Sequence, residues 1–423
     1  FFFCTSFTML SFHSGSKLIS ANFARKFSSV NASFTRSLPG KAFVDPKFYE
    51  VERQHLLGPA WQLVGHESQL VTSNEKAPAS YFAETVCGWP AIVVKSAKTG
   101  QVNAYHNVCR HKGGPLEWNN TAGICDLNGL KCKYHGWAYS LEGKLLGVPA
   151  FGESCEGHKL DRSEFNLWPM RVATWRGLIF VQALPNTPED PSKGAPLTGP
   201  EANAAFVKAN QAFCDRMSGI GGGSNGTNSA SSSVPLEEFS FHSAVSHKLK
   251  CNWKLYVENY LEGYHIPHIH PELNKQVDMK EYKVLVREGY VEHVSPLPAG
   301  VVSSYEGVWL WHHPTLAVNY YGTGLSLERI VPTGPGTTEI RYIYLFRKEA
   351  GGSVEEGQKK ATEAIAMSTE VTGEDVSMVE ELQRALEGGG YQSPGCLSPR
   401  HEQGVGYFQK LVREAHARGG ATY

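Results

Sequence analysis

An α+β fold in two parts is what this 423-residue chain predicts, and three patterns predict it. From Tyr81 to Leu184 short apolar runs alternate with turn residues, the mark of a small antiparallel β domain. From Val308 to Phe346 β-branched and aromatic residues alternate again around a Gly334-Pro335-Gly336 turn, which predicts a second antiparallel sheet. The stretches that bracket this sheet, residues 252–270 and 373–384, carry helical spacing.

Taken in order, residues 1–40 contain Lys17, Arg25, Lys26 and Arg36 but no acid, the first being Asp45, and are rich in Ser, Phe and Ala. This is the composition of an organelle transit peptide. Arg25-Lys26-Phe27-Ser28 suits mitochondrial processing, and plastid import is equally compatible, so matrix and stroma both stay open. The chain opens on Phe1, which makes Met9 a candidate start. No apolar run reaches the roughly eighteen residues that a membrane span requires. Residues 41–80 read as an N-terminal helical segment of the second part: Tyr49, Val51, Leu56, Leu57 and Trp61 recur at helical spacing between Phe48 and Leu70, with a break at Gly58-Pro59.

Residues 81–185 form the β domain, with strands over Ala91–Lys95, Val102–Tyr105 and Gly177–Val181. Asn186 to Pro200 reads as the exit linker. Residues 186–423 form the second domain, interrupted at 218–233 by a Gly/Ser/Asn insert. Gly221, Gly223 and Gly226 formally match G-x-G-x-x-G, but neither a preceding strand nor a following helix accompanies them, so a surface loop is expected and no nicotinamide or flavin site. Electrons for any redox chemistry must then come from another protein. Glu402 to Ala417 reads as a terminal helix with its basic residues late.

A formal net charge of −1 excludes a nucleic-acid or polyanion partner as a composition-driven expectation. Nine cysteines without framework spacing argue against a disulfide-stapled secreted protein and for a reducing compartment.

The densest chemistry is Cys109-Arg110-His111 followed by Cys132-Lys133-Tyr134-His135. Each arm carries one thiolate and one imidazole. Structural zinc favours arms that repeat one ligand type, whereas a [2Fe–2S] cluster with Cys₂ on one iron and His₂ on the other takes this mixture, the Rieske arrangement. Gly113-Gly114-Pro115 and Gly136-Trp137 allow the backbone to approach the cluster closely and shield it. The gap between the arms is long and contains Cys125, and its excess, Asn119 to Gly129, is expected as a surface loop.

The second dense stretch is residues 252–270. On a helix Glu258, Glu262 and His265 would share one face. Pro267 would end that helix and let His270 turn back towards the metal faced by His265. Two histidines plus a carboxylate from elsewhere would make a facial triad for Fe(II) with open positions for O₂ and substrate; a structural or zinc-binding histidine cluster is the alternative. Trp309, Trp311, Tyr320 and Tyr321 offer ring faces for a quaternary ammonium, or serve as sheet core.

In both motifs the chain resembles the Rieske non-haem iron oxygenases, as a terminal oxygenase (α) subunit. The resemblance implies a Rieske domain joined to a helix-grip, START-like α+β catalytic domain, with a [2Fe–2S] cluster on Cys109, His111, Cys132 and His135. It implies mononuclear Fe(II) on His265, His270 and Asp375, and makes Glu262 the acid that bridges the two metals in catalysis, where the family more often has Asp. His268 matches no family ligand. It further implies a homotrimer with transfer from His135 through Glu262 to His265 of a neighbouring subunit, O₂ and a small molecule as substrates, and a separate ferredoxin or reductase as donor. The Glu262–His270 run and Trp311-His312-His313-Pro314 look most like the choline monooxygenase-type branch, which oxidises choline towards betaine aldehyde in glycine betaine synthesis. The alternatives are a related N-demethylating or ring-hydroxylating oxygenase, or an electron-transfer Rieske protein.

Overall fold

The computed structural model describes residues 35–70, 77–125, 129–149, 160–183, 198–220, 235–295, 308–321, 324–347 and 354–423. The expected processing pattern at Arg25–Ser28, residues 221–233 of the Gly/Ser insert and most of the exit linker lie outside the described residues. From residue 35 the chain is already built into the body. Arg36 bridges to Cys396, the Ser37 N–H donates to the Gly395 carbonyl at 3.1 Å, and buried Leu38 donates to Gln409 Oε1 at 2.9 Å. The stretch expected as a leader through residue 40 therefore includes a docked segment.

Helices α1 (Lys41–Val44) and α2 (Pro46–Glu52) follow. Asp45 caps α2 by accepting from the Lys47 N–H at 3.0 Å, with Pro46 in the first turn. After a π-helical turn at Arg53–Leu57, the expected helix to Leu70 gives way to strand β1 (Gln62–His66). The Gly58-Pro59 break and antiparallel pairing with a later strand override the local helical spacing, and all five β1 residues are buried.

The first sheet is built from β1, β2 (Ala79–Val86), β3 (Trp89–Ser96), β4 (Val102–His106), β5 (Thr121–Cys125), β9 (Pro169–Trp175) and β10 (Leu178–Gln182), in the order β1-β10-β9-β4-β3-β2-β5. Strands β6 (Leu130–Lys131), β7 (Ala138–Tyr139) and β8 (Leu145–Gly147) make a small separate sheet. The expected surface loop between the two Cys/His arms is corrected here. Its middle is β5, paired with β2 from Ala83↔Thr121 to Ala79↔Cys125. An open β2 edge is a row of unpaired backbone groups, and the extra residues cover it.

The second part of the chain contains α3 (Pro200–Ala209), α4 (Gln211–Ser218), α5 (Trp253–Tyr260), α6 (Ile266–Ile269), α7 (Pro271–Asn274), α8 (Val354–Glu387) and α9 (Gln403–Arg418). Its sheet comprises β11 (Phe239–Leu249), β12 (Lys283–Val286), β13 (Tyr290–Val294), β14 (Val308–His312), β15 (Leu316–Tyr321), β16 (Gly324–Gly334) and β17 (Thr337–Arg347), ordered β11-β17-β16-β15-β14-β13-β12 and antiparallel throughout. The two-residue period sorts β17. Tyr342 and Tyr344 turn to α8, bonding Thr372 at 2.7 Å and Ser368 at 3.0 Å. Ile343 and Leu345 turn to the opposite face and pack in one core with Phe206 of α3, Phe213 of α4 and Phe180 of β10. The long helix lying on a curved sheet is the expected helix-grip arrangement.

Buried Glu52 ties three distant segments together. It pairs with Lys254 at 2.7 Å and His416 at 2.8 Å, and accepts from Trp253 Nε1 at 2.8 Å. The start of α5, which leads to His265 and His270, is thereby fixed against α2 and α9. Breaking such a pair by removing one partner costs about 3–5 kcal/mol, because the other charge stays buried.

Candidate metal centres

The two Cys/His arms meet at the tip of the β domain. In the first arm the Cys109 N–H bonds the Gly114 carbonyl at 2.8 Å, and in the second the Cys132 N–H bonds the Trp137 carbonyl at 2.8 Å; Lys133 N–H to Pro115 carbonyl at 2.9 Å joins them. Gly113 and Gly136 both sit at φ 72, where a side chain is strained. A Cβ on Gly114 would lie 2.8 Å from Tyr134 Cβ and 3.1 Å from Cys132 Sγ, so only glycine lets the arms close.

Cys109 and Cys132 are buried, neither in a disulfide, whereas His111 and His135 are exposed with ring centroids 4.7 Å apart. Trp137 stacks on His111. Burial, together with the facing Cys132 thiol, pushes the Cys109 thiol up; the two sulfurs would become thiolates side by side only with a bound cation to compensate them. The Tyr139 hydroxyl lies 3.2 Å from Cys109 Sγ, and the Tyr134 N–H donates to Cys132 Sγ at 3.5 Å. Two thiols and two imidazoles with sulfur-directed donors are the chemistry that a Rieske cluster requires.

At the second site the expected single helix is corrected. Asn252 caps α5 through the Lys254 N–H at 3.1 Å, but α5 ends at Tyr260, well before Pro267. A Cβ on Gly263 would come within 2.4 Å of the Tyr282 ring, so the chain crosses under that ring as a glycine turn. Glu258 consequently parts from the others and accepts from Gln409 Nε2 at 3.0 Å. Glu262 folds over the turn, accepting the backbone N–H groups of Tyr264 and His265.

His265 and His270 then converge on Asp375 of α8, with all ligating atoms of the three within 4.8 Å of one another. His270 Nε2 stands 3.0 Å and His265 Nε2 3.7 Å from Asp375 Oδ1. Each imidazole is held from behind by a carboxylate on Nδ1: Glu262 at 2.5 Å for His265 and Glu374 at 2.6 Å for His270. That pattern fixes the tautomer and aims Nε2 at the common point, as ligating histidines require. Asn259 Nδ2 donates to Asp375 Oδ1 at 2.7 Å. Burial disfavours a charged His270, but Asp375 and Glu374 on its two nitrogens outweigh burial and raise its pKa. The donor set fits Fe(II), and His268 is exposed away from it.

Beside the triad lies a cavity of about 130 Å³, small against the roughly 300–1,000 Å³ of drug-sized sites. Tyr256, Tyr260, Tyr282, Trp309 and Tyr342 supply aromatic wall. The described lining contains no Lys or Arg. His293, bonded through Nδ1 to the Tyr282 hydroxyl at 2.6 Å, is pushed down to about 3 by burial and by His265, and is therefore neutral. Of the aromatic set expected from sequence, only Trp309 lines the cavity: Trp311 and Tyr320 are packed core, and the Tyr321 side chain lies outside the described residues.

Sequence reasoning missed Glu374, Asn259 and Glu328 as residues of the site. For Glu328 a signal existed, a lone acid in the strand Leu325–Val331 that is otherwise mostly apolar.

Two family models match the chain: a Rieske [2Fe-2S] domain over residues 60–173, and the ring hydroxylating alpha subunit catalytic domain over residues 236–295 and 297–417. Among curated relatives, the chloroplastic choline monooxygenase of Beta vulgaris is 26% identical over 89% of this chain and 76% of its own length. The carnitine monooxygenase oxygenase subunit of Escherichia coli (strain K12) is 23% identical over 89% and 93%. A solved quaternary ammonium Rieske monooxygenase, described for carnitine oxidation by gut microbiota and inter-subunit electron transfer, superposes with TM-score 0.72. It shares 21% identity over 91% of this chain and 97% of that one.

Proposed function

Because the chain joins a Rieske [2Fe–2S] domain to a ring-hydroxylating α-subunit catalytic domain, and so belongs to the Rieske terminal oxygenases, we propose that it oxidises choline to betaine aldehyde. The observation that carries this reading is the small aromatic cavity on the His265–His270–Asp375 cluster, with no Lys or Arg among its described lining residues. Aromatic faces attract quaternary ammonium groups, and a cavity of this size excludes extended ring systems. The lack of a lining cation favours choline, whose other end is a hydroxyl, over carnitine, whose other end is a carboxylate.

Cys109, His111, Cys132 and His135 would hold the cluster, and His265, His270 and Asp375 the mononuclear iron. When bound, the two metals supply single electrons and O₂ activation. In the overall balance one oxygen atom enters a carbinol C–H bond of choline. The other leaves as water with two protons and two electrons from a separate ferredoxin or reductase, and the hydrated aldehyde loses water. Glu262 and Glu374 keep the imidazoles in the ligating tautomer, and Asn259 steadies Asp375. No helix among the described residues is long and apolar enough to cross a membrane, and the acid-free N-terminus supports import into a plastid or mitochondrion.

The working assembly is a homotrimer in which His135 of one subunit faces Glu262 and His265 of the next. Exposed aromatics at both ends support such a contact: Tyr134 beside the cluster arm and Tyr264 beside Glu262 are 64% and 54% exposed. The test is a single turnover. Iron-loaded, chemically prereduced protein is mixed with O₂ and choline, glycine betaine, carnitine or simple aromatics, and products are identified by mass. Betaine aldehyde from choline is expected. Formaldehyde with a demethylated amine, or a hydroxylated ring, would replace this reading by an N-demethylating or ring-hydroxylating one.

A further inference from the structure

Four glutamates are buried among the described residues: Glu52, Glu84, Glu292 and Glu328. Three of them face a cation of the protein. Glu52 has Lys254 at 2.7 Å, Glu84 has Arg341 at 2.8 Å and Arg329 at 3.1 Å, and Glu292 has Arg216 at 2.8 Å. Glu328 is 2% exposed and no ion pair joins it to a described residue. Its neighbours are the polar but uncharged Tyr256, Tyr342 and Asn319, together with the carboxylate of Asp375, which repels it. Oxygen Oε1 has no hydrogen-bond partner among the described residues.

Register decides where this carboxyl points. Glu328 pairs with Tyr342 across β16 and β17, so it shares the face that Tyr342 and Tyr344 turn to α8, and it lines the cavity beside the triad. Tyr256, Tyr342 and Asn319 hydrogen-bond the carboxyl, but a buried carboxylate without a cationic partner is still costly. It is retained cheaply only if something that enters the cavity completes it, and the rings of Tyr256, Tyr342 and Trp309 around the same space suit a soft, bulky cation.

We propose that Glu328 is the charge-selecting residue of the cavity: it pairs with the cationic head of the substrate and repels substrates that also carry a carboxylate. The proposal deepens the choline reading, and rests on it for which cation is turned over, but the cation site is testable by itself. A quaternary nitrogen has no N–H, so the pairing is electrostatic, and the free Oε1 is also available to accept from a substrate hydroxyl. Removing the charge should therefore act on affinity rather than on the bond-making step.

The experiment uses the holoenzyme, cluster and iron loaded, as wild type, Glu328→Gln and Glu328→Asp. Binding of tetramethylammonium, choline and 3,3-dimethyl-1-butanol, the uncharged carbon isostere of choline, is measured by calorimetry, and KM and kcat are measured for choline. The Gln variant should bind both cations roughly tenfold to a hundredfold more weakly while binding the neutral isostere as the wild type does. The Asp variant should restore most of the preference for charge, and the loss for choline should appear in KM far more than in kcat. Tetramethylammonium binding that is absent in wild type or unchanged in the Gln variant overturns the proposal, as does an equal loss for cation and isostere. Glu328-dependent cation binding without choline turnover would support the cation site while removing choline as substrate. Choline turnover with the same KM in wild type and the Gln variant would do the reverse.

Discussion

The two metal centres are built by opposite means from the same residue types. At the cluster the cysteines are buried and the histidines are exposed, and the supporting contacts are backbone amides and one phenol directed at sulfur. At the iron site His270 is buried, His265 is half-buried, and the supporting groups are carboxylates on the far ring nitrogens. Outward-facing imidazoles leave the Cys/His edge within reach of a partner surface, whereas inward-facing imidazoles backed by anions suit a metal beside the aromatic cavity.

The sharpest break of that comparison separates the two sites chemically. Asp375→Ala should abolish mononuclear iron binding and product formation while the cluster's visible absorption stays intact, and Cys132→Ser should show the converse. Iron per chain and absorbance report both, and one variant losing both metals would contradict independent sites. Next in size is Glu262→Gln. If Glu262 links the two centres, both metals remain bound and product formation stops, so wild-type turnover in that variant refutes the bridging role.

Glu374→Gln probes the carboxylate support alone. Loss of such a contact typically weakens metal binding by about 10–100-fold, to be read by chelator competition, with the cluster untouched. An unchanged iron affinity would mean that the His270 contact is incidental. The smallest effect is expected on the other side of the comparison. The Tyr139 phenol, its pKa raised chiefly by burial and also by the Cys109 thiol, stays protonated as a donor. Tyr139→Phe removes a hydrogen bond that favours the reduced, more negative cluster. About 1 kcal/mol lost corresponds to a fall of roughly 40 mV for a one-electron couple, and a potential that does not move would show that the hydroxyl points elsewhere.

Legibility followed the range of the interactions. The Cys/His arms are short loops whose closure depends on glycines a few residues away, so the motif and its neighbours could be read together. Strands β3, β4 and β10, the hairpins between Val308 and Phe346 and the C-terminal helix also lay in local pattern, whereas Asp375 came from the family resemblance and not from its own helix. The helix through residues 252–270 did not lie in local pattern, because its end is imposed by the Tyr282 ring lying against Gly263 from outside the motif. The same holds for β1, whose helical spacing yields to pairing with β10, more than a hundred residues later.

By itself the sequence determined the donor types, their order and the α+β class, because thiolate, imidazole and carboxylate chemistry and the periods of strand and helix are written in adjacent residues. Only the tertiary structure decided that Glu374 backs His270, that Glu258 leaves the site for Gln409, and that Glu328 stands in the cavity without an ion pair to a described residue. Whether an acid is solvated, paired or orphaned depends on what the other elements bring against it, and no local pattern carries that.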